Sequence, residues 1–321
     1  MAVQIFTGNV IAVIWDFDQT MIPGYQQDPL FRAYDIDPAD FWAEVNGLAD
    51  RYSSSEILVS TEISYMNHLI TYGQAGRLPG LTNAKLRDLG AELTFYEGLP
   101  EFLEESRKVI EEDEQFAAHG ITVEHYVVST GLRQMILGSS VAPFLRDVWA
   151  SEFIETPEGP GYLSETPSTV NDAEAGINQI AYFLDNTTKT RAIWEINKGV
   201  NVEKHIDVNS FIPPEDRRVP LRNMIYIADG PSDVPVFSIL NQYGGHTLGV
   251  YNPGSDRHFE TLSSLNDQGR FNAMAEATYT LNSLAGKWIL STLRKIGRLI
   301  VRDRDRALSD RVMPPGGHVL D

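Results

Sequence analysis

Asp16 and Asp18 stand two residues apart, directly after the apolar run Val10-Ile11-Ala12-Val13-Ile14-Trp15. A short run rich in β-branched residues reads as a buried strand, so both carboxylates sit where a strand stops. Open α/β sheets place their ligand crevices there. Crowding two buried carboxylates is costly unless a cation or a proton compensates. The plainer alternative is a polar strand end closed by an Asx-type turn.

Three more groups follow in order. The run His125-Tyr126-Val127-Val128 ends in Ser129-Thr130-Gly131. Lys189 comes just before the helical pattern Ala192-Ile193-Trp194-Glu195-Ile196. Met224-Ile225-Tyr226-Ile227-Ala228 ends in Asp229-Gly230-Pro231-Ser232-Asp233. Three apolar strands thus deliver polar residues at their carboxyl ends, with a lone lysine between the second and third. Each group has an ordinary rival. Ser129 can cap a helix, Lys198 competes with Lys189, Asp229-Gly230 can be a turn, and Asp233 can be a helix N-terminal charge. The histidines show no metal-ligand spacing.

The elements that must position these residues alternate between strand and helix patterns, which favours a sheet with helices on both faces. Pro23-Gly24 breaks the chain after the first strand. Residues 25 to about 90 read as mainly helical, with Phe41-Trp42, Val45 and Leu48, then Ile63, Met66 and Leu69-Ile70, at helical spacing. Glu97-Gly98-Leu99-Pro100 opens a helix that leads to the second strand. Residues 164–178 read as polar loop, and His246–Tyr251 as a further strand. A last helix is expected from about Leu284 to Val301. From Lys287 to Arg311 the Lys/Arg outnumber the Asp, opposite in sign to the whole chain. Either that helix packs on the core and solvates a basic face, or the face meets an anionic surface or partner.

The chain has 321 residues, room for a core domain plus a smaller one. Its net charge of −18 argues against a nucleic-acid binder. A lysine or a metal ion touching a phosphate still outweighs a diffuse acidic surface, which is largely screened beyond about 8 Å. With no cysteine, disulfides, thiolate metal sites and cysteine nucleophiles are excluded. No run approaches the roughly 20 apolar residues of a membrane span, and no secretory signal is visible. The expectation is a cytoplasmic protein without integral membrane association. Its oligomeric state is left open.

The four motifs in this order, spanning residues 11 to 233, resemble the haloacid dehalogenase-like hydrolase superfamily, and most closely its phosphoserine phosphatase-like branch. The resemblance implies an α/β fold: a Rossmann-like, doubly wound parallel core over residues 1–23 and 91–321, with a helical cap inserted after the first strand at 24–90. It implies Asp16 as a nucleophile that forms an aspartyl-phosphate, and Asp18 as general acid, then base. Ser129, Thr130, Gly131 and Lys189 would bind the phosphoryl group. Mg²⁺ would be held by Asp16, the backbone carbonyl of Asp18, and Asp229, with Thr20 and Asp233 in support; oxygen ligands of this kind suit Mg²⁺. In this superfamily dehalogenases lack an Asp at the position of Asp18 and P-type ATPases carry Thr there, so Asp18 implies a phosphatase or phosphomutase.

Departures from the pattern are also visible. Gln19 stands where Gly or Ser is common, and Ala228 where Gly is common. Pro23-Gly24-Tyr25-Gln26-Gln27 lacks the carboxylate with which phosphoserine phosphatases bind their substrate. The function implied is Mg²⁺-dependent hydrolysis of a small phosphorylated metabolite. A phosphotransferase or phosphomutase on the same core, or a non-catalytic module that binds a phospho-ligand, are the alternatives.

Overall fold

The computed structural model describes residues 8–163 and 176–311. In chain order its elements begin with β1 (Val10–Trp15), α1 (Asp28–Ala33), α2 (Pro38–Ser53), α3 (Thr61–Gln74), α4 (Asn83–Gly90), α5 (Glu101–Glu111) and α6 (Glu114–Ala118). Then come β2 (Thr122–Leu132), α7 (Arg133–Gly138), β3 (Leu145–Ile154), β4 (Gln179–Tyr182), α8 (Lys189–Lys198), β5 (Met224–Ala228) and α9 (Val234–Gln242). The chain closes with β6 (His246–Tyr251), α10 (Asp256–Asp267), β7 (Ala273–Glu276) and α11 (Leu284–Arg311).

The strands form one sheet in the order β4-β3-β2-β1-β5-β6-β7. All neighbours run parallel except the edge strand β4, which is antiparallel to β3. Every residue of the central strand β1 is buried, as a parallel strand covered on both faces must be. Its side chains alternate between two cores. Ile11, Val13 and Trp15 pack with Phe102 and Ile110 of α5 and with Ile289, Leu293 and Ile296 of α11. Val10, Ala12 and Ile14 pack with Ile193 and Ile196 of α8 and with Phe237 and Leu240 of α9. Burying each large apolar side chain contributes about 1.5–3 kcal/mol. This is the doubly wound Rossmann-like architecture expected from the sequence.

The segment after β1 is helical, as the spacing predicts, and Phe31, Phe41, Val45, Met66 and Leu69 of α1 to α3 join Leu132 of β2, Met135 of α7 and Phe153 of β3 in a third apolar cluster. Two devices fix its helices. Asp37 caps α2 by accepting from Ala39 N at 2.7 Å, and Thr82 caps α4 by accepting from Lys85 N at 3.0 Å. The helix α4 sits tight against α7. A Cβ on Gly90 would lie 2.1 Å from the Met135 carbonyl oxygen, so only glycine fits.

Two expectations need adjustment, and a third falls mostly outside the described residues. Thr130 and Gly131, which follow the second strand in a helix-like pattern, are in fact the last part of β2, and α7 opens at Arg133. The Gly131 and Leu132 N–H groups are taken by the side chains of nearby Ser129 and of distant Gln26 before a helical turn can form. The loop expected over 164–178 lies outside the described residues for 164–175; after it the chain returns as β4. The last helix runs on past Val301 to Arg311. It buries Ile289, Leu293, Ile296 and Ile300 while Lys287, Arg294, Lys295, Arg298 and Arg302 are exposed, so it packs on the core and presents a basic face. Among the described residues no helix is long and apolar enough to cross a membrane.

Candidate active site

The chain leaves β1 toward β2 on one side, and β5 lies on the other, so the carboxyl end of β1 is the switch point where such sheets open a crevice. Asp16 is the first residue past β1. Its N–H donates to the Ile227 carbonyl at 2.9 Å, which ties it to β5. Asp229 is the first residue past β5, and Asp233 follows at the start of α9. Lys189 is the first residue of α8, whose Ala192, Ile193 and Ile196 anchor it on the same sheet face as β5.

Lys189 is buried and bridges two carboxylates. Its Nζ donates to Asp16 Oδ1 at 2.9 Å and to Asp233 Oδ1 at 2.7 Å. Asp233 is fully enclosed. It also accepts from Tyr226 Oη at 2.5 Å and from Ser232 Oγ at 2.8 Å. One carboxylate oxygen from each of Asp16, Asp229 and Asp233 lies within 4.8 Å of the others.

The electrostatics follow from crowding in a dry place. Burial, reinforced by Asp233 and opposed by Lys189, raises the Asp16 carboxyl to about 6. Burial and then the charge of Asp16 raise Asp18 to about 7. Burial, Asp16 and Asp233 together push Asp229 well above the usual carboxylate range. Burial works to lower Lys189, but Asp16 and Asp233 outweigh it and hold the ammonium charged. Three carboxylates thus share one protein cation, and the deficit of positive charge suits a hard divalent ion with oxygen ligands.

The other expected residues lie around this centre. Asp18 lies outside the three-carboxylate group, and its carboxylate bonds to Gln26. It accepts from Gln26 N at 2.9 Å and from Gln26 Nε2 at 3.5 Å. Ser129 is buried, and its Oγ accepts from Gly131 N at 3.1 Å and Gln26 Nε2 at 3.4 Å. The Thr130 carbonyl accepts from Tyr65 Oη of α3 at 2.7 Å and from Ser151 Oγ at 3.1 Å. Thr20 is buried, with its carbonyl held by Tyr279 Oη at 2.6 Å and its own hydroxyl without a partner among the described residues. Gln19 takes φ of 57°, the left-handed region, which accounts for glycine being the easier residue at that place.

Three site residues were not singled out from sequence for these roles: Gln26, Tyr65 and Tyr226. Tyr226 hides inside an apolar strand run. Tyr65 shares the helical stripe of its neighbours. Gln26 stands out in the sequence only for not being a carboxylate, and its spacing ten residues after Asp16 is the one available signal.

An uncharacterized protein of Borreliella burgdorferi is 40% identical over 290 residues, covering 89% of this chain and 97% of that one. This chain belongs to its family. No family model matches the chain. Solved structures similar to this member of the family include a HAD-family hydrolase from Salmonella enterica, with TM-score 0.45 and 13% identity over 78% of this chain; the chain spans 65% of that protein. A phosphoserine phosphatase solved as a phospho-aspartyl intermediate analogue gives TM-score 0.42 and 15% identity over 83% of this chain and 93% of that one. A probable phosphoserine phosphatase from Vibrio cholerae gives 0.46 and 12% over 93% and 68%. Likeness at that level assigns no residue a role, and the chemistry rests on the site itself.

Proposed function

We propose that this chain is a Mg²⁺-dependent phosphatase of the haloacid dehalogenase-like type that hydrolyses a small phosphate monoester. The observation that carries the reading is the single ammonium of Lys189 set between Asp16 and Asp233, with Asp229 beside them. Residues distant in sequence meet at a sheet switch point, in the order and with the residue types of the four motifs.

In this reading Asp16 attacks phosphorus and forms an aspartyl-phosphate, while the ester P–O bond breaks. Asp18 gives its proton to the departing alkoxide oxygen. It then takes a proton from the water that attacks the aspartyl-phosphate, which releases phosphate and restores Asp16. Lys189 offsets charge on the phosphoryl oxygens, an effect worth roughly 4 kcal/mol at about 4 Å and an effective dielectric near 20, before desolvation. Ser129 donates its hydroxyl proton to a phosphoryl oxygen. Asp16 and Asp229 would hold the metal with the Asp18 carbonyl, and Asp233 is close enough to join them or to hold a metal-bound water. When bound, Mg²⁺ supplies the positive charge that lets an anionic nucleophile approach an anionic ester. Residues 24–90 serve as the cap over a core of 1–23 and 91–321; the Tyr65 and Gln26 contacts to the end of β2 support that placement.

The test is a panel of phosphorylated metabolites offered to the wild type and to Asp16→Asn, with Mg²⁺ and with EDTA. The wild type is expected to release phosphate only with the metal, and the variant not at all. Near-normal turnover by Asp16→Asn would remove Asp16 from the nucleophile's role and overturn the reading.

A further inference from the structure

Gln26 is fully buried, and its backbone N–H and side-chain amide are committed to Asp18, Ser129 and the end of β2. Its Oε1 accepts from Leu132 N at 2.7 Å. A backbone N–H can only donate, so the amide oxygen must face Leu132, and the NH₂ must face the other way. On that side Nε2 lies 3.5 Å from Asp18 Oδ2 and 3.4 Å from Ser129 Oγ. The backbone N–H of the same residue holds the other Asp18 oxygen at 2.9 Å. The fit leaves no room for a side chain opposite: a Cβ on Gly131 would fall 1.7 Å from Nε2.

Two consequences follow. Ser129 Oγ accepts from Gln26 and from Gly131 N, so neither bond uses its own proton, which can be donated to a phosphoryl oxygen. Asp18 Oδ1 is engaged by the shorter, stronger bond, which leaves the weakly held Oδ2 to carry a proton to a leaving group. We propose that Gln26 is a positioning residue that sets Asp18 and Ser129 as one unit, aiming the general acid at the ester oxygen of a phosphoryl group bound by the serine. The inference rests on the phosphatase reading above and deepens it.

The test compares two esters with Mg²⁺ present. p-Nitrophenyl phosphate has a leaving group that departs without a proton, whereas the alkoxide of β-glycerophosphate must be protonated. Gln26→Glu keeps the shape and replaces the donor with an acceptor. Gln26→Met keeps the length and drops every side-chain hydrogen bond, while the backbone N–H still holds Asp18 Oδ1; it stands in if the first variant does not fold, and melting curves report folding for both. General acid catalysis contributes about 10²–10⁴-fold. Asp18 also serves as base toward the aspartyl-phosphate that both esters form, so the readout is kcat/KM, which ends at departure of the leaving group: it is expected to fall by about tenfold or more on β-glycerophosphate and by less than about threefold on the aryl ester. A purely structural role would lower kcat/KM on both esters alike, and that result overturns the inference alone. A wild type that releases phosphate from neither ester takes down the phosphatase reading and this inference together.

Discussion

Tyr226 shows how much a single hydroxyl can settle in this site. It projects from the middle of β5 and donates at 2.5 Å to the same Asp233 oxygen that Lys189 holds at 2.7 Å. Without it, a buried carboxylate loses one of its donors and gains freedom to turn from the lysine. A hydrogen bond to a charged group contributes about 1.5–3 kcal/mol. Tyr226→Phe is expected to lose that much stability in urea titration and to lower kcat. Ser232→Ala is expected to cost less, because Ser232 is only part-buried and bonds the other oxygen. A loss under about 0.5 kcal/mol for Tyr226→Phe would show that Lys189 alone fixes Asp233. The contrast with Asp16 is instructive. A carboxylate at a strand end is conspicuous because burial there is costly, whereas a tyrosine in an apolar run is indistinguishable from core until its hydroxyl's partner, seven residues on, is folded back beside it.

At the scale of elements, β1, β2 and α5 are pinned by one buried imidazole. Trp15 Nε1 donates to His125 Nδ1 at 3.1 Å. An indole N–H cannot accept, so Nδ1 carries no proton and the ring's hydrogen is on Nε2, facing Leu103 O and Ser106 Oγ, each at 3.0 Å. Protonation would set one N–H against another. Burial first, with Arg107 adding repulsion and the Leu103 carbonyl opposing, lowers His125 from 6.5 to about 3. The folded state therefore binds fewer protons than the unfolded one. The stabilisation is fully present above pH 6.5 and is lost as pH falls from 6.5 toward 3. By pH 5 the loss is about 2 kcal/mol, at about 1.36 kcal/mol per unit. His246, lowered to about 4 by burial and Lys295, acts in the same direction. The difference between wild type and His125→Gln isolates His125: the variant's stability is expected to fall less steeply between pH 6.5 and 5, and parallel slopes would refute the assignment. The strand carrying His125 was legible from its β-branched run. The end of that strand was not, because Gln26, a hundred residues earlier, decides where β2 stops and α7 begins, and a local pattern holds no trace of so distant a partner.

For the whole molecule, the doubly wound core was legible because alternating apolar runs admit few other layerings. The short edge strands β4 and β7 carry little apolar pattern and depend on the sheet already being there. The net charge of −18 is a property of the whole chain and bears on how an anionic substrate arrives. The basic face of α11 follows a helix that packs along the sheet, and the two carboxylate-rich strand ends add negative field at the crevice. Under the proposed phosphatase reading, a phosphate dianion would meet repulsion at long range and attraction only on contact with Lys189 and a bound cation. Salt separates the two: the screening length falls from about 30 Å at 0.01 M to about 8 Å at 0.15 M, which removes the distant repulsion while leaving buried contacts largely intact. At saturating Mg²⁺, kcat/KM for a dianionic ester is expected to rise about two- to tenfold over that range, with kcat nearly constant. Arg298→Glu with Arg302→Glu, two exposed positions on α11 outside the site, makes the chain more acidic and is expected to steepen the rise. If kcat/KM instead fell steadily with salt, the attractive field of the site would reach beyond the crevice, and the acidic surface would have no hold on substrate capture.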